Sequence, residues 1–159
     1  MGMYALHVLT GEELEIRRKL TEYGYLAIVP EEIGILRRQR ESIQVRRVVM
    51  PGYVFVDEVM TAAAYYDITG VSGVIRMLNY GDPMPDNESE LIYRMSEMAD
   101  DGVTRLRRLS DGTYEILDGA LRGLEGRIIH VDRRQHKLTI GVDICGHSTE
   151  VTLSAVVED

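Results

Sequence analysis

Val48-Val49-Met50-Pro51-Gly52-Tyr53-Val54-Phe55-Val56-Asp57 decides how the rest of the chain is read. It begins as a β-branched run, breaks at Pro-Gly, and resumes as an alternating strand. In that strand Tyr53, Phe55 and Asp57 point one way and Val54 and Val56 the other. Proline has no N–H to give a sheet ladder, and glycine adopts backbone angles that other residues avoid. Pro51-Gly52 therefore reads as a kink or bulge between two strand pieces. A break there sets Met50 beside Tyr53 at a bend, with the valines buried beneath. By periodicity alone the stretch is an ordinary core strand with a kink.

Upstream, Tyr4, Leu6 and Val8 share one face of a short strand, and Met3, Ala5, His7 and Leu9 share the other. Glu12 to Tyr23 has apolar residues at helical spacing, glutamates in its first turn and Arg17, Arg18 and Lys19 later, which suits the helix dipole. Gly24 closes this helix, and Tyr25 to Val29 is a second strand stopped by Pro30. Glu32 to Val49 alternates around Arg37, Arg38, Arg40, Arg46 and Arg47 and reads as a hairpin with a basic tip. Such a hairpin serves either as a solvated, charge-protected edge or as a contact for nucleic acid.

Downstream, Thr61 starts a short helix that Gly70 ends, Val74 to Leu78 is a strand, and residues 79–85 form a turn-rich loop. Asp86 or Asn87 caps a third helix running through Met98, whose Leu91, Ile92, Met95 and Met98 make an apolar core stripe. Up to that point the pattern is an α+β domain, an antiparallel sheet with flanking helices, over residues 1–98. Composition changes at Ala99-Asp100-Asp101-Gly102, so a linker is expected over 99–111. Residues 112–159 are nearly all strand: 114–117, 127–132, 137–143, 149–153 and 155–157, which implies a small five-stranded barrel. Glycines at 119, 123, 126, 141 and 146 make a helical alternative costly.

A chain of 159 residues with 45% apolar content buries one moderate core or two small ones. Its net charge of -8 excludes a generic nucleic-acid coat and leaves only local basic clusters to meet phosphate. One cysteine, Cys145, excludes an internal disulfide and fits a reducing cytoplasm. No window approaches a membrane span, and the N-terminus lacks the pattern of a secretory signal. The four histidines show no metal-like spacing, and no phosphate cradle, nucleophile elbow or Ser/His/Asp arrangement is recognisable. Binding rather than catalysis is expected, without a cofactor or metal.

The stretch VVMPGYVFVD, preceded by a basic hairpin and followed by a helix and GVSGVIRML, resembles the most recognisable segment of the NusG family of transcription elongation factors. That family's N-terminal (NGN) domain carries Phe-Pro-Gly-Tyr-Val at this point. DGALRGLEGRIIHVDRRQHKLTIGV resembles the KOW motif, a strand-turn-strand unit of the same family, and the two matches stand in the family's order. The resemblance implies an NGN domain followed by a KOW domain with an Src-homology-3-like barrel. It further implies that the first domain docks on the clamp helices of RNA polymerase through a hydrophobic concavity formed by Met3, Tyr4, His7, Met50, Tyr53 and Phe55. Met3 and Met50 stand where many relatives have Trp and Phe, which softens such a pocket.

The barrel segment looks most like the LoaP-type antiterminators, whose barrel recognises an RNA hairpin in a nascent leader transcript. On that reading Arg122, Arg127, His130, Arg133, Arg134, His136 and Lys137 grip RNA phosphates. From Gly119 to Lys137, five Arg or Lys face two acidic residues, Glu125 and Asp132. The same cations at a turn are equally suited to plain solubility. A general elongation factor of this family would instead use its barrel to meet termination factor Rho or a ribosomal protein. Either reading places a monomer in the cytoplasm, with the basic hairpin of Arg37 to Arg47 as a further nucleic-acid contact.

Overall fold

The structure, a computed structural model, describes residues 2–158. In chain order it runs β1 (Gly2–Val8), α1 (Glu13–Glu22), β2 (Leu26–Ile28), β3 (Glu31–Arg38), β4 (Glu41–Val48), β5 (Tyr53–Glu58), α2 (Ala62–Thr69), β6 (Val74–Met77) and α3 (Asp86–Met95). Five strands complete it: β7 (Thr104–Arg108), β8 (Tyr114–Ile116), β9 (Ile128–Asp132), β10 (Lys137–Ile144) and β11 (His147–Glu158). Two compact units result, one of Met1–Val29, Met50–Glu90 and Ile144–His147, the other of Pro30–Val49, Leu91–Asp143 and Ser148–Asp159.

In the first unit four strands form an antiparallel sheet in the order β2-β5-β1-β6. Because β1 and β5 are its inner strands, both their faces are covered: Leu6, Val54, Phe55 and Val56 are completely buried, and Met3 and Ala5 nearly so. Each such large side chain contributes about 1.5–3 kcal/mol relative to exposure. Helix α1 buries Ile16 and Leu20 one turn apart, and α2 buries Ala64 and Ile68 at the same spacing. The Thr61 hydroxyl caps α2 by accepting the Ala64 N–H at 3.1 Å. Buried Glu88, in the first turn of α3, accepts the backbone N–H groups of Cys145 at 2.6 Å and Gly146 at 3.0 Å.

The Pro-Gly break differs from the expected bulge. β4 pairs only with β3 in a two-stranded sheet and β5 belongs to the four-stranded one, so Met50-Pro51-Gly52 is the turn by which the chain passes between sheets. Gly52 sits in the left-handed region (φ 89°), and its N–H is taken by buried Glu13 at 3.3 Å rather than by a neighbouring strand. With no N–H on Pro51 and none free on Gly52, the ladder cannot continue.

In the second unit five strands lie in the order β8-β7-β11-β10-β9, a curled sheet around Leu106, Ile116, Leu138, Ile140, Val142, Val151 and Leu153. Residues 104–108, expected inside the linker, form β7, which pairs in parallel with β11 and antiparallel with β8. Alternation explains it, since Leu106 is completely buried while Arg105 and Arg107 on either side are exposed. Conversely, 149–153 and 155–157 belong to one strand, β11, because Ser154 continues it instead of breaking it. Helix α3 ends at Met95, with a separate 3-10 turn over Met98–Asp101 carrying the last apolar residues expected of it.

The β3–β4 hairpin also belongs to this unit. Glu32, buried on β3, accepts the Ser154 N–H with both oxygens (2.9 and 3.2 Å) and pairs with Arg47 at 2.5 Å. Ser154 Oγ in return accepts the Ile35 N–H at 3.2 Å, and Arg47 donates to the Thr152 carbonyl at 3.0 Å. Among the described residues no buried side-chain nitrogen or oxygen lacks a partner.

Candidate functional site

Directly opposed residues of an antiparallel pair point to the same face of the sheet. Met3 opposes Asp57, Ala5 opposes Phe55 and His7 opposes Tyr53, so Met3, His7, Tyr53 and Phe55 share one face of the first unit. The Tyr53 and Phe55 rings stack there, with centroids 6.2 Å apart and planes within 10°. Tyr4 opposes Val56 and lies on the other face, so the expected grouping of Tyr4 with Met3 and His7 does not hold. The physical reason is the two-residue period of β1, which sends neighbours to opposite sides.

Exposure divides the set further. Met3, Tyr4, Met50 and Phe55 are buried, and His7 and Tyr53 are half-buried. Register adds residues that the sequence alone did not single out. Ile28 opposes Phe55 and Leu26 opposes Asp57, so both belong to the same face, with Leu26 53% exposed. Arg76 opposes His7 from the other side. The signal was present in the alternation of Tyr25 to Val29, but assigning it to this face required knowing that β2 pairs with β5. The accessible part of the face is thus aromatic and aliphatic, with the half-buried carboxylate of Asp57 among these residues and a cation at one border.

The basic residues of the second unit separate in a similar way. Arg133, Arg134, His136 and Lys137 are all exposed around the β9–β10 turn, and His130 is exposed on β9 opposite Thr139. That turn is built firmly: Asp132 Oδ1 accepts the Gln135 N–H at 3.0 Å, and the His136 carbonyl accepts the Ala155 N–H at 2.9 Å. Arg122 is exposed in another turn, between β8 and β9. Arg127 is half-buried, and its guanidinium donates to the Gly141 carbonyl at 3.4 Å, so part of its hydrogen-bonding capacity is spent inside the fold.

On the β3–β4 hairpin, only the tip keeps the expected character. Gln39 and Arg40 occupy the two-residue turn with positive φ, and Arg37, Arg38 and Arg40 are exposed. Arg46 and Arg47 are instead paired with buried Glu31 (3.2 Å) and Glu32 (2.5 Å) at the hairpin's base. The two acids precede the arginines in sequence and meet them only across the pair of strands, so the basic residues read along the chain did not show these partners.

Strand β7 carries cations that were expected to lie in a linker. Arg105 is held by Asp118 (2.7 Å) and Glu158 (2.9 Å), and its hydrogen bond to Asp118, followed by the charges of both acids, raises its pKa. Arg108 opposes Tyr114 across β7–β8 and borders a cleft with Arg133, Leu109, Ser110 and Gly112. Among the described residues no group of three His, Cys, Asp or Glu converges as a metal site, and no helix is long and apolar enough to cross a membrane.

An antiparallel sheet with flanking helices, followed by a β-sheet that curls on itself, is the architecture of NusG-type transcription factors, a class without enzymatic activity. The family model "Transcription termination factor nusG" matches residues 1–95, and the chain belongs to this family. It is similar to the transcription termination/antitermination protein NusG of Bacillus subtilis, at 26% identity over 94% of this chain and 93% of that protein. The corresponding protein of Staphylococcus carnosus is 24% identical over 93% of this chain and 89% of its own length. Among solved structures, "Domain interaction in Thermotoga maritima NusG" has the same fold, with a TM-score of 0.58 at 22% identity, covering 96% of this chain and 93% of that one.

Proposed function

We propose that this protein is a cytoplasmic processive antiterminator of the LoaP type. Its N-terminal module, residues 1–98, docks on the clamp helices of RNA polymerase through the face bearing His7 and Tyr53 with Met3, Met50 and Phe55 beneath. Its C-terminal module, residues 112–159 together with β7, engages a hairpin of the nascent leader transcript through the β9–β10 turn. The observation that carries this reading is the concentration of Arg133, Arg134, His136 and Lys137 on one exposed turn of a chain whose net charge is -8. A cationic turn on an acidic protein supplies the local positive charge that phosphate binding needs. Duplex RNA presents such a turn with closely spaced phosphates and is read by shape. The hairpin tip with Arg37, Arg38 and Arg40 supplies a further contact to nucleic acid.

The test is salt-dependent binding of the full chain to a panel of structured leader RNAs, with Arg133→Ala plus Arg134→Ala as the comparison. Selective binding to one hairpin, steep in salt and lost in the double variant, is expected. A protein that joins polymerase but binds no leader RNA would instead be a general NusG-type elongation factor whose barrel meets Rho or a ribosomal protein.

A further inference from the structure

Two clefts of the second unit meet at Leu109. One, of about 530 Å³, is lined by Leu109, Tyr114 and Ile128 with Glu125, whose carboxylate lies at the edge of β8. The other, of about 420 Å³, is lined by Arg108, Ser110, Gly112 and Arg133. Both volumes lie in the range that takes a small organic group. Their chemistry is segregated: aromatic and aliphatic surface with an anionic acceptor on one side of Leu109, two guanidiniums on the other. A nucleotide has this division, a flat base with hydrogen-bond donors joined to a phosphate.

The walls are fixed in advance. Leu109 N–H donates to the Thr113 carbonyl at 2.8 Å and Gly112 N–H to the Leu109 carbonyl at 3.0 Å, while Asp111 Oδ1 accepts both the N–H (3.0 Å) and the hydroxyl (2.5 Å) of Thr113. Gly112 has φ 87°, and a Cβ there would come within 3.9 Å of the Arg108 guanidinium, so the turn lets that cation lie close against it. Glu125 is held at the open edge of β8 by the Ile116 N–H at 3.1 Å and retains lone pairs for a further donor. Arg108 and Tyr114, directly opposed across β7–β8, project on the same face, so a base on the phenol ring has its phosphate within reach of the guanidinium.

We infer that this double cleft binds one nucleotide of single-stranded RNA, its base against Tyr114, Leu109 and Ile128 and its phosphate against Arg108 and Arg133. The inference rests on the proposed RNA-directed role and extends it from the duplex-facing β9–β10 turn to an unpaired nucleotide beside it. The Glu125 carboxylate sets a preference for the base. Cytosine offers an exocyclic amino group that a carboxylate accepts, whereas uracil turns a carbonyl oxygen toward the same position. Charge complementarity excludes an acidic peptide from the cleft with Glu125, and an apolar peptide would set uncharged groups against the guanidinium of Arg108.

The experiment measures binding of the full chain to labelled short oligocytidine, oligouridine and oligodeoxycytidine and, separately, to a blunt RNA hairpin. Oligocytidine is expected to bind about fivefold or more tighter than oligouridine, and tighter than its deoxy counterpart. Tyr114→Ala should cost about tenfold in oligocytidine affinity, as loss of a stacking platform does, and Tyr114→Phe should retain it. Glu125→Gln, which keeps an oxygen for the Ile116 N–H, should narrow the difference between cytidine and uridine while preserving overall binding. Equal binding of oligocytidine and oligouridine, no binding of either, tighter binding of the deoxy strand, or unchanged affinity in Tyr114→Ala would overturn the inference. Hairpin binding without oligocytidine binding removes this inference alone, and the reverse pattern removes the proposed hairpin-directed function alone.

Discussion

Glu13 holds Gly52: a carboxylate at the start of α1 accepts the N–H of the glycine that ends the Met50-Pro51-Gly52 turn, at 3.3 Å, and accepts the Gly11 N–H at 3.0 and 2.9 Å with its two oxygens. The side chain and Gly52 are both buried, so the Gly52 amide has no water to turn to if the carboxylate is removed, whereas Gly11 is exposed. Glu13→Ala should therefore destabilise the protein by about 1–3 kcal/mol. Glu13→Gln, which keeps one acceptor oxygen, should cost less. Chemical denaturation of the two variants side by side checks the order, and equal losses would show that packing rather than hydrogen bonding matters at this site.

Gly52 itself makes a separate prediction. Its φ of 89° is open to glycine and strained for other residues, while a Cβ would meet nothing nearer than the Thr10 hydroxyl at 3.7 Å. Gly52→Ala is thus expected to cost about 1–2 kcal/mol through backbone strain alone. Unfolding midpoints should fall without a change in denaturant sensitivity.

Glu32 ties the β3–β4 hairpin to β11 through the Ser154 N–H and Arg47. Arg47 is 40% exposed, so solvent screens that pair and the buried amide carries most of the effect. Glu32→Ala should cost about 3 kcal/mol. It should also speed hydrogen exchange at the Ser154 amide well beyond that of Leu138, whose side chain is buried elsewhere in the same unit.

The Asp111 carboxyl is held below the usual aspartate range, chiefly by the Thr113 hydroxyl and next by the Thr113 N–H. A group whose folded-state pKa is depressed adds stability above its unfolded value, and that stability is lost as pH falls through the folded value. The 109–113 turn should accordingly loosen only in acid, below the ordinary aspartate value. An NMR titration of the Asp111 carboxyl checks this, with Thr113→Val expected to move its midpoint upward.

Much of this architecture is legible in the sequence where one short-range signal acts alone. Thr61 and Gly70 bound α2, and the alternation of Val54 and Val56 with Phe55 marks a strand covered on both sides. Readings failed where a distant partner decided the outcome. Residues 104–108 have the alternation of a strand, but the change of composition at Ala99-Asp100-Asp101-Gly102 suggested a linker, and only the pairing with β11 and β8 decides it. Tyr4 was grouped with Met3 by motif although the period of β1 separates them. Arg46 and Arg47 looked like open cations because Glu31 and Glu32 meet them only through the hairpin register. The cleft beside Tyr114 had no sequence signal, since its walls come from two turns and an edge strand.

The proposed docking face offers the sharpest separation between folding and function. Phe55 is completely buried and Met3 is 3% exposed, so altering either tests the core before it tests any partner. Phe55→Ala should cost about 3–5 kcal/mol in stability. Any loss of polymerase association in that variant would follow from unfolding. His7 and Tyr53, half-buried and directly opposed, can be changed with much smaller consequences for the core. If this face meets polymerase, a charge placed there is desolvated on docking. His7→Glu and Tyr53→Glu should then each weaken association with core polymerase by about tenfold or more while shifting the thermal midpoint little. Leu26→Glu, on the same face but 53% exposed at β2, should weaken it as well. Ile75→Glu changes a residue 52% exposed on β6, where alternation turns it away from the face of Arg76 and His7, and should leave association intact. Equal effects of Leu26→Glu and Ile75→Glu would move the contact off this face, whatever the behaviour of His7 and Tyr53.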